Sequence, residues 1–194
     1  MELHITGDPA ADQLLSDDAF ALLIGMLLDQ QVTMESAFAG PAKIRKRIGS
    51  LSPAAIAGYD PAGFVEVFKE SPSVHRFPGS MAGRVQDLAA VVQHDWQGDA
   101  TAIWTKDEPD GQEVLRRLKG LPGFGEQKAK IFLALLGKQR GLQAQGWREA
   151  AGAYGQESAF LSVADIVDPE SLRKVRANKQ AAKAAVKAAK ASGH

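Results

Sequence analysis

At Ser52-Pro53, Asp60-Pro61 and Asp168-Pro169 a side chain able to cap a helix stands directly before a proline. Such pairs open helices, because the fixed φ of proline suits the first helical position and its missing N–H would have no partner there. After Ser80, Met81, Val85, Leu88, Ala89 and Val92 recur at helical spacing. Alternation of apolar and polar residues is confined to one short piece at Leu3–Ile5. A chain with many helix starts and almost no two-residue periodicity is expected to be all-α.

The residues from Asp17 to Gln30, after a Ser16 cap, are so densely apolar that most faces of their helix must be buried. The unbroken apolar part, Ala19 to Leu28, has 10 residues, too few to span a bilayer. Thr33 caps a further helix that Pro41 interrupts and Gly49 closes. Residues 97–110 read as loop with at most one helical turn. Helices are then expected at 111–118, at 126–138 and from Pro169 to about Lys190. The expectation is a two-lobed helical bundle over residues 1–170 with a helical hairpin at 111–138. A basic Ala/Lys-rich helix or tail occupies 171–194.

Cysteine is absent, which excludes disulfides, thiolate zinc sites, a cysteine nucleophile and a cysteine-ligated iron–sulfur cluster. His4, His75, His94 and His194 are too scattered to suggest a metal cluster. The start, MELHITGDPAAD, lacks the basic and apolar regions of a secretory signal. A cytoplasmic monomer is the expectation, nucleoid-associated in a prokaryote.

The net charge of zero conceals an asymmetry. All 23 acidic residues lie at or before Glu170, and seven basic residues from Arg173 to Lys190 come after it; the first 170 residues thus carry 16 basic against 23 acidic side chains. Two stretches oppose that acidic trend. Lys43, Arg45, Lys46 and Arg47 cluster without an acid, and residues 114–140 hold seven basic side chains against Glu126 alone. Localised basic patches on an acidic body suit a polyanion contact or solvated helix faces. In the last stretch, Lys179, Lys183, Lys187 and Lys190 share one helix face. That helix either docks by its first half and frays beyond it, or serves as a nucleic-acid arm.

Residues 115–138 read LRRLKGLPGFGEQKAKIFLALLGK. A tight turn, Gly120-Leu121-Pro122-Gly123-Phe124-Gly125, joins two helices. Its glycines allow close backbone approach, and the second helix presents free N–H groups and a positive dipole end suited to a phosphate. Arg116, Arg117, Lys119, Lys128 and Lys130 surround this turn.

The LPGFG turn resembles the helix-hairpin-helix of the DNA glycosylase superfamily that also carries a Gly/Pro-rich segment and an aspartate, which includes endonuclease III and 3-methyladenine DNA glycosylase II. LLIGMLLDQQVTMESA, residues 22–37, is similar to the family segment reading roughly "iLsQQvs". The resemblance implies a base-excision repair protein that binds damaged double-stranded DNA. Backbone amides around Gly123, Gly125 and Gln127 would hold a phosphate, with Arg116, Arg117, Lys128 and Lys130 nearby. The carbonyls of Lys119, Leu121 and Phe124 would face a monovalent cation, with no other cofactor required. Gln30, beside Gln31, would enter the gap left by a flipped base.

The chain departs from the family pattern in three places. Members that cleave the strand carry a lysine two residues beyond the second hairpin glycine, where this chain has Gln127. Lys128 is one step, about 100°, further round the helix. No iron–sulfur loop is present. The family aspartate falls at 143–149, where Glu149 is the one acid and Trp147 a candidate pocket wall. Glu149 would replace the aspartate, or stand as a surface acid in a helix's first turn. Trp147 would line the pocket or serve as packing. His75, Arg76 and Arg84 flank a further Gly-rich helix start, either a phosphate contact or an ordinary cap. Three functions are compatible with this pattern; two of them are a monofunctional N-glycosylase without lyase activity and a catalytically silent protein that binds damaged or distorted DNA. A helical interaction domain with a purely structural hairpin is the third.

Overall fold

A computed structural model describes residues 2–191. Among them regular structure is entirely helical: α1 (Pro9–Asp17), α2 (Ala19–Leu28), α3 (Met34–Phe38), α4 (Gly40–Ile48), α5 (Pro53–Ala57), α6 (Pro61–Lys69), α7 (Pro78–Asp95), α8 (Ala102–Thr105), α9 (Gly111–Lys119), α10 (Glu126–Gln139), α11 (Trp147–Ala151) and α12 (Pro169–Ala191). Short 3₁₀ turns lie at Gly152–Gly155 and Val163–Asp165. The cap–proline pairs open α5, α6 and α12 as expected, Thr33 caps α3, and Gly49 ends α4 in the left-handed region.

The N-terminal residues differ from expectation. Leu3–Ile5 form no strand; Leu3 and Ile5 are buried, and the Ile5 and Thr6 N–H groups donate to the buried Asp12 carboxylate at 3.0 and 2.9 Å. Asp8-Pro9 opens α1 by the same cap–proline logic that opens α5. Ser16 does not cap the apolar helix: its hydroxyl donates to the Asp12 carbonyl and accepts from Leu3 N–H. Asp18 does so instead, accepting from Phe20 and Ala21 N–H at 2.8 and 3.0 Å.

α2 is buried from Phe20 to Leu28 and packs on α1, α3, α4 and α7. α7 crosses α5 and α6, and Gln86 donates to the carbonyls of Ile56 and Tyr59 at the end of α5. A second helical group surrounds α10, which packs on α9, α11 and both 3₁₀ turns. Its core holds Phe132 between Trp104 and Phe124, ring centroids 5.8 and 5.9 Å apart. The turn between α9 and α10 abuts the C-terminal end of α2, so the end of the apolar helix and the hairpin form one junction.

Candidate DNA interface

The α9–α10 turn is anchored by its apolar residues and exposed by its glycines. Leu121 and Phe124 are buried, whereas Gly123 and Gly125 lie at the surface. The two glycines serve different ends. Gly123 has φ +79°, and a Cβ there would stand 2.2 Å from Leu27 Cδ1, so this glycine is required by the fold. Gly125 has φ −70°, and a Cβ would meet nothing within 4 Å. Neither dihedral nor packing demands a glycine at 125; what it provides is open backbone.

Gly125 is the N-cap of α10 and offers no side-chain cap. The first ladder bond runs from Ala129 N–H to the Gly125 carbonyl, leaving the N–H groups of Glu126, Gln127 and Lys128 without a backbone acceptor. Three aligned amides at the positive end of a 14-residue helix are the geometry that holds a phosphate. In the same turn the Leu121 carbonyl accepts from Phe124 N–H, whereas those of Lys119 and Phe124 accept no backbone hydrogen bond. Open carbonyls are hard oxygen donors that fit a monovalent cation.

The basic side chains here are largely engaged. Glu113 accepts from Arg116 Nε at 2.7 Å and Arg117 Nε at 2.8 Å, and these bonds hold its carboxyl down at about 2. Arg117 also donates to the carbonyls of Ile103 and Lys106 and covers the Trp96 ring. Glu126 pairs with Lys130 at 2.8 Å and Lys119 at 3.7 Å. Lys138 is held by Asp165, and Arg140 by the Ser16 carbonyl. In the other basic stretch, Lys43 and Arg47 likewise bond to the carbonyls of Ser73, Val67 and Pro72.

At the junction, Lys128 Nζ donates to the Leu27 carbonyl at 2.9 Å. Burial pushes its pKa down to about 8, the nearby Asp29 partly opposing that fall. Asp29 is itself pushed up by burial, against the pull of Lys179 and Lys128. Gln127 turns away and donates to the Tyr154 hydroxyl at 2.9 Å.

Gln30 is clamped rather than projecting. Its amide donates to the Leu27 carbonyl at 3.0 Å, and its Oε1 accepts from Arg84 at 3.1 Å. Gln31 is exposed with φ +56°. His75 secures this loop from the other side. Phe77 N–H donates to His75 Nδ1 at 3.1 Å, which places the ring proton on Nε2, and Nε2 donates to the Gln30 carbonyl at 3.0 Å. Burial lowers the pKa of this imidazole and so favours the neutral form. Phe77, 39% exposed under the Arg76 guanidinium, lies beside the loop at the start of α7.

The region after the hairpin resolves Trp147 and Glu149 differently. Trp147 is buried core: a Cβ at Gly137 would meet its ring at 2.4 Å, and one at Gly111 its backbone at 2.4 Å. Arg148 stacks on Trp147 and pairs with Glu157 at 3.2 Å, away from its neighbour Glu149. Glu149 is exposed in the first turn of α11, whose N-cap Gly146 has φ +72°. Its Oε2 lies 3.9 Å from where a Cβ on Gly146 would be, so the carboxylate reaches back to the helix start. Asp165 is bound by Lys138 and by Leu161 and Ser162 N–H, and Asp168 caps α12. A hollow of about 400 Å³ beside α9, lined by Trp96, Lys106, Glu113, Arg116 and Arg117, includes neither Gln30 nor Glu149.

Among the described residues no group of His, Asp and Glu is placed to hold a metal, and no helix is long and apolar enough to cross a membrane; His194 lies outside them. Neither a curated protein nor a solved structure matches the chain. A family model described as HhH-GPD superfamily base excision DNA repair protein matches residues 24–191, which include the end of α2, the hairpin, Glu149 and α12. The chain therefore belongs to the HhH-GPD superfamily of base excision DNA repair proteins.

Proposed function

We propose that this base excision repair protein is a monofunctional DNA N-glycosylase that acts as a monomer on a damaged base in duplex DNA. The observation that carries the reading is the exposed Glu149 carboxylate, whose Oε2 lies 3.9 Å from the Cβ position that Gly146 leaves open at the start of α11. The amides of Glu126 and Gln127 hold a backbone phosphate, and the carbonyls of Lys119, Leu121 and Phe124 would hold a monovalent cation beneath it. Gln31, exposed on left-handed backbone, fills the stack after base rotation, and Phe77 presses on the adjacent step. Gln30, with its amide bound at both ends, positions that loop.

As the C1′–N bond breaks, the departing base keeps the electron pair and positive charge develops on the sugar. Glu149 stabilises that charge and accepts a proton from the water whose oxygen bonds to C1′. Gln127 supplies no amine and Lys128 is seated on the Leu27 carbonyl, so the strand is left intact.

The competing reading, a silent damage-binding protein, draws on the empty side-chain position at Gly146 itself. Incubation with duplexes carrying uracil, alkylated, deaminated or oxidised bases separates the two. Release of a free base supports the glycosylase; binding without release from any duplex supports the silent protein.

A further inference from the structure

The hairpin offers a duplex more amide than charge, since Glu113 and Glu126 between them engage Arg116, Arg117, Lys119 and Lys130. The positive field has another source. The first half of α12 is docked: Val175 is buried, Arg176 bonds to Glu35, and Lys179 lies 4.0 Å from Asp29. From Gln180 to Lys190 every residue is exposed, Val186 at 57%.

Steps of about 100° per residue place Arg176, Lys179, Lys183, Lys187 and Lys190 within an arc of about 80°. The face that grips Glu35 and Asp29 thus continues past the edge of the body. Lys183, Lys187 and Lys190 make no ion pair with a carboxylate among the described residues. Asp29 immediately precedes Gln30 and Gln31, so the overhang begins at the loop proposed to enter the DNA stack.

We infer that the overhanging part of α12 is a second DNA clamp, with Lys183, Lys187 and Lys190 contacting phosphates of the duplex held by the hairpin. The inference rests on the DNA-binding part of the proposed function. A rise of 1.5 Å per residue carries Lys190 about 16 Å beyond Lys179, roughly five base pairs of duplex. The intervening alanines let the helix lie close to the backbone. Val186 is the one large apolar residue of the overhang, so it lacks the apolar stripe by which a basic helix enters a bilayer.

The test is anisotropy with an undamaged 20-base-pair duplex at several salt concentrations. It compares the full chain, the triple variant K183Q/K187Q/K190Q, the charge-retaining K183R/K187R/K190R, and G125V. Each phosphate contact contributes about −0.9 to the log–log salt slope, so the glutamine variant is expected to flatten the slope by roughly 2–3 and to weaken binding more than tenfold at low salt. The arginine variant is expected to retain both. An unchanged slope and affinity in the glutamine variant, with binding still lost in G125V, overturns the clamp and leaves the hairpin reading standing. Equal loss in the glutamine and arginine variants also overturns it, because charge is then not the cause. Failure of the parent chain to bind duplex removes both. Binding of the parent to anionic vesicles but not to duplex assigns the overhang to a membrane and overturns the inference.

Discussion

Lys128 Nζ and the Leu27 carbonyl, 2.9 Å apart, tie the first turn of α10 to the last turn of α2. This bond fixes the hairpin against the Gln30–Gln31 loop, and Gly123 seals the same contact by leaving room for Leu27. The two segments that resemble the DNA glycosylase family are thereby held as one surface.

The pKa of Lys128 gives this tie a pH signature. Its folded pKa, about 8, lies below the ordinary lysine value of 10.5, so folding disfavours the charged amine. The cost is fully present below pH 8 and is relieved as pH rises from 8 toward 10.5. Denaturant melts at pH 7 and pH 10 are expected to show the parent gaining on Lys128→Met by about 1–2 kcal/mol, a figure reduced for the partial exposure of the amine. No difference between the two pH values would mean that the amine is solvated.

The hairpin glycines are expected to separate cleanly. Gly123→Val forces a side chain into Leu27 on left-handed backbone and should destabilise the fold by about 2–4 kcal/mol. Gly125→Val meets open space and should cost no more than about 1 kcal/mol, the ordinary loss at an N-cap, while abolishing hairpin-dependent DNA binding. Thermal melts and duplex titrations of the two variants check this; a stable Gly125→Val that binds normally would remove the phosphate from the N-terminus of α10.

The packing role of Trp147 predicts a stability phenotype. Trp147→Ala should cost about 3–5 kcal/mol, and Gly137→Ala, which drives a methyl into the indole, should also destabilise. Urea melts are the measurement. A Trp147→Ala protein of parental stability would contradict a core role and restore the indole as a pocket wall.

Strand cleavage through an imine is not expected. Borohydride treatment with abasic-site DNA should trap no covalent adduct, since Gln127 has no amine and Lys128 is bonded to a carbonyl. An adduct that disappears in Lys128→Ala would show that DNA draws this lysine out of its seat.

The helices were legible because their starts are written locally: Ser52 and Asp60, each before a proline, cap α5 and α6 by short-range hydrogen bonds. Asp8-Pro9 carries the same signature, and α1 was open to the same reading. Charge was less legible. A count beginning at residue 114 excludes Glu113, which engages Arg116 and Arg117 from the preceding turn. Which of Gln30 and Gln31 is free depends on Arg84, 54 residues away, and on the left-handed backbone at Gln31, and no local pattern encodes either. Likewise, Trp147 is core because glycines at 111 and 137 open a slot for it, a pairing seen only once the three helices are assembled.

Excision of a damaged base by the parent chain and by Glu149→Gln, under single-turnover conditions across the lesion panel, tests the proposed chemistry most directly. The parent is expected to release free base from at least one lesion. Glu149→Gln should lower that rate by about 10²-fold or more, with duplex affinity unchanged within about twofold. Undiminished release by Glu149→Gln, or tight binding by the parent without release from any lesion, would contradict that chemistry.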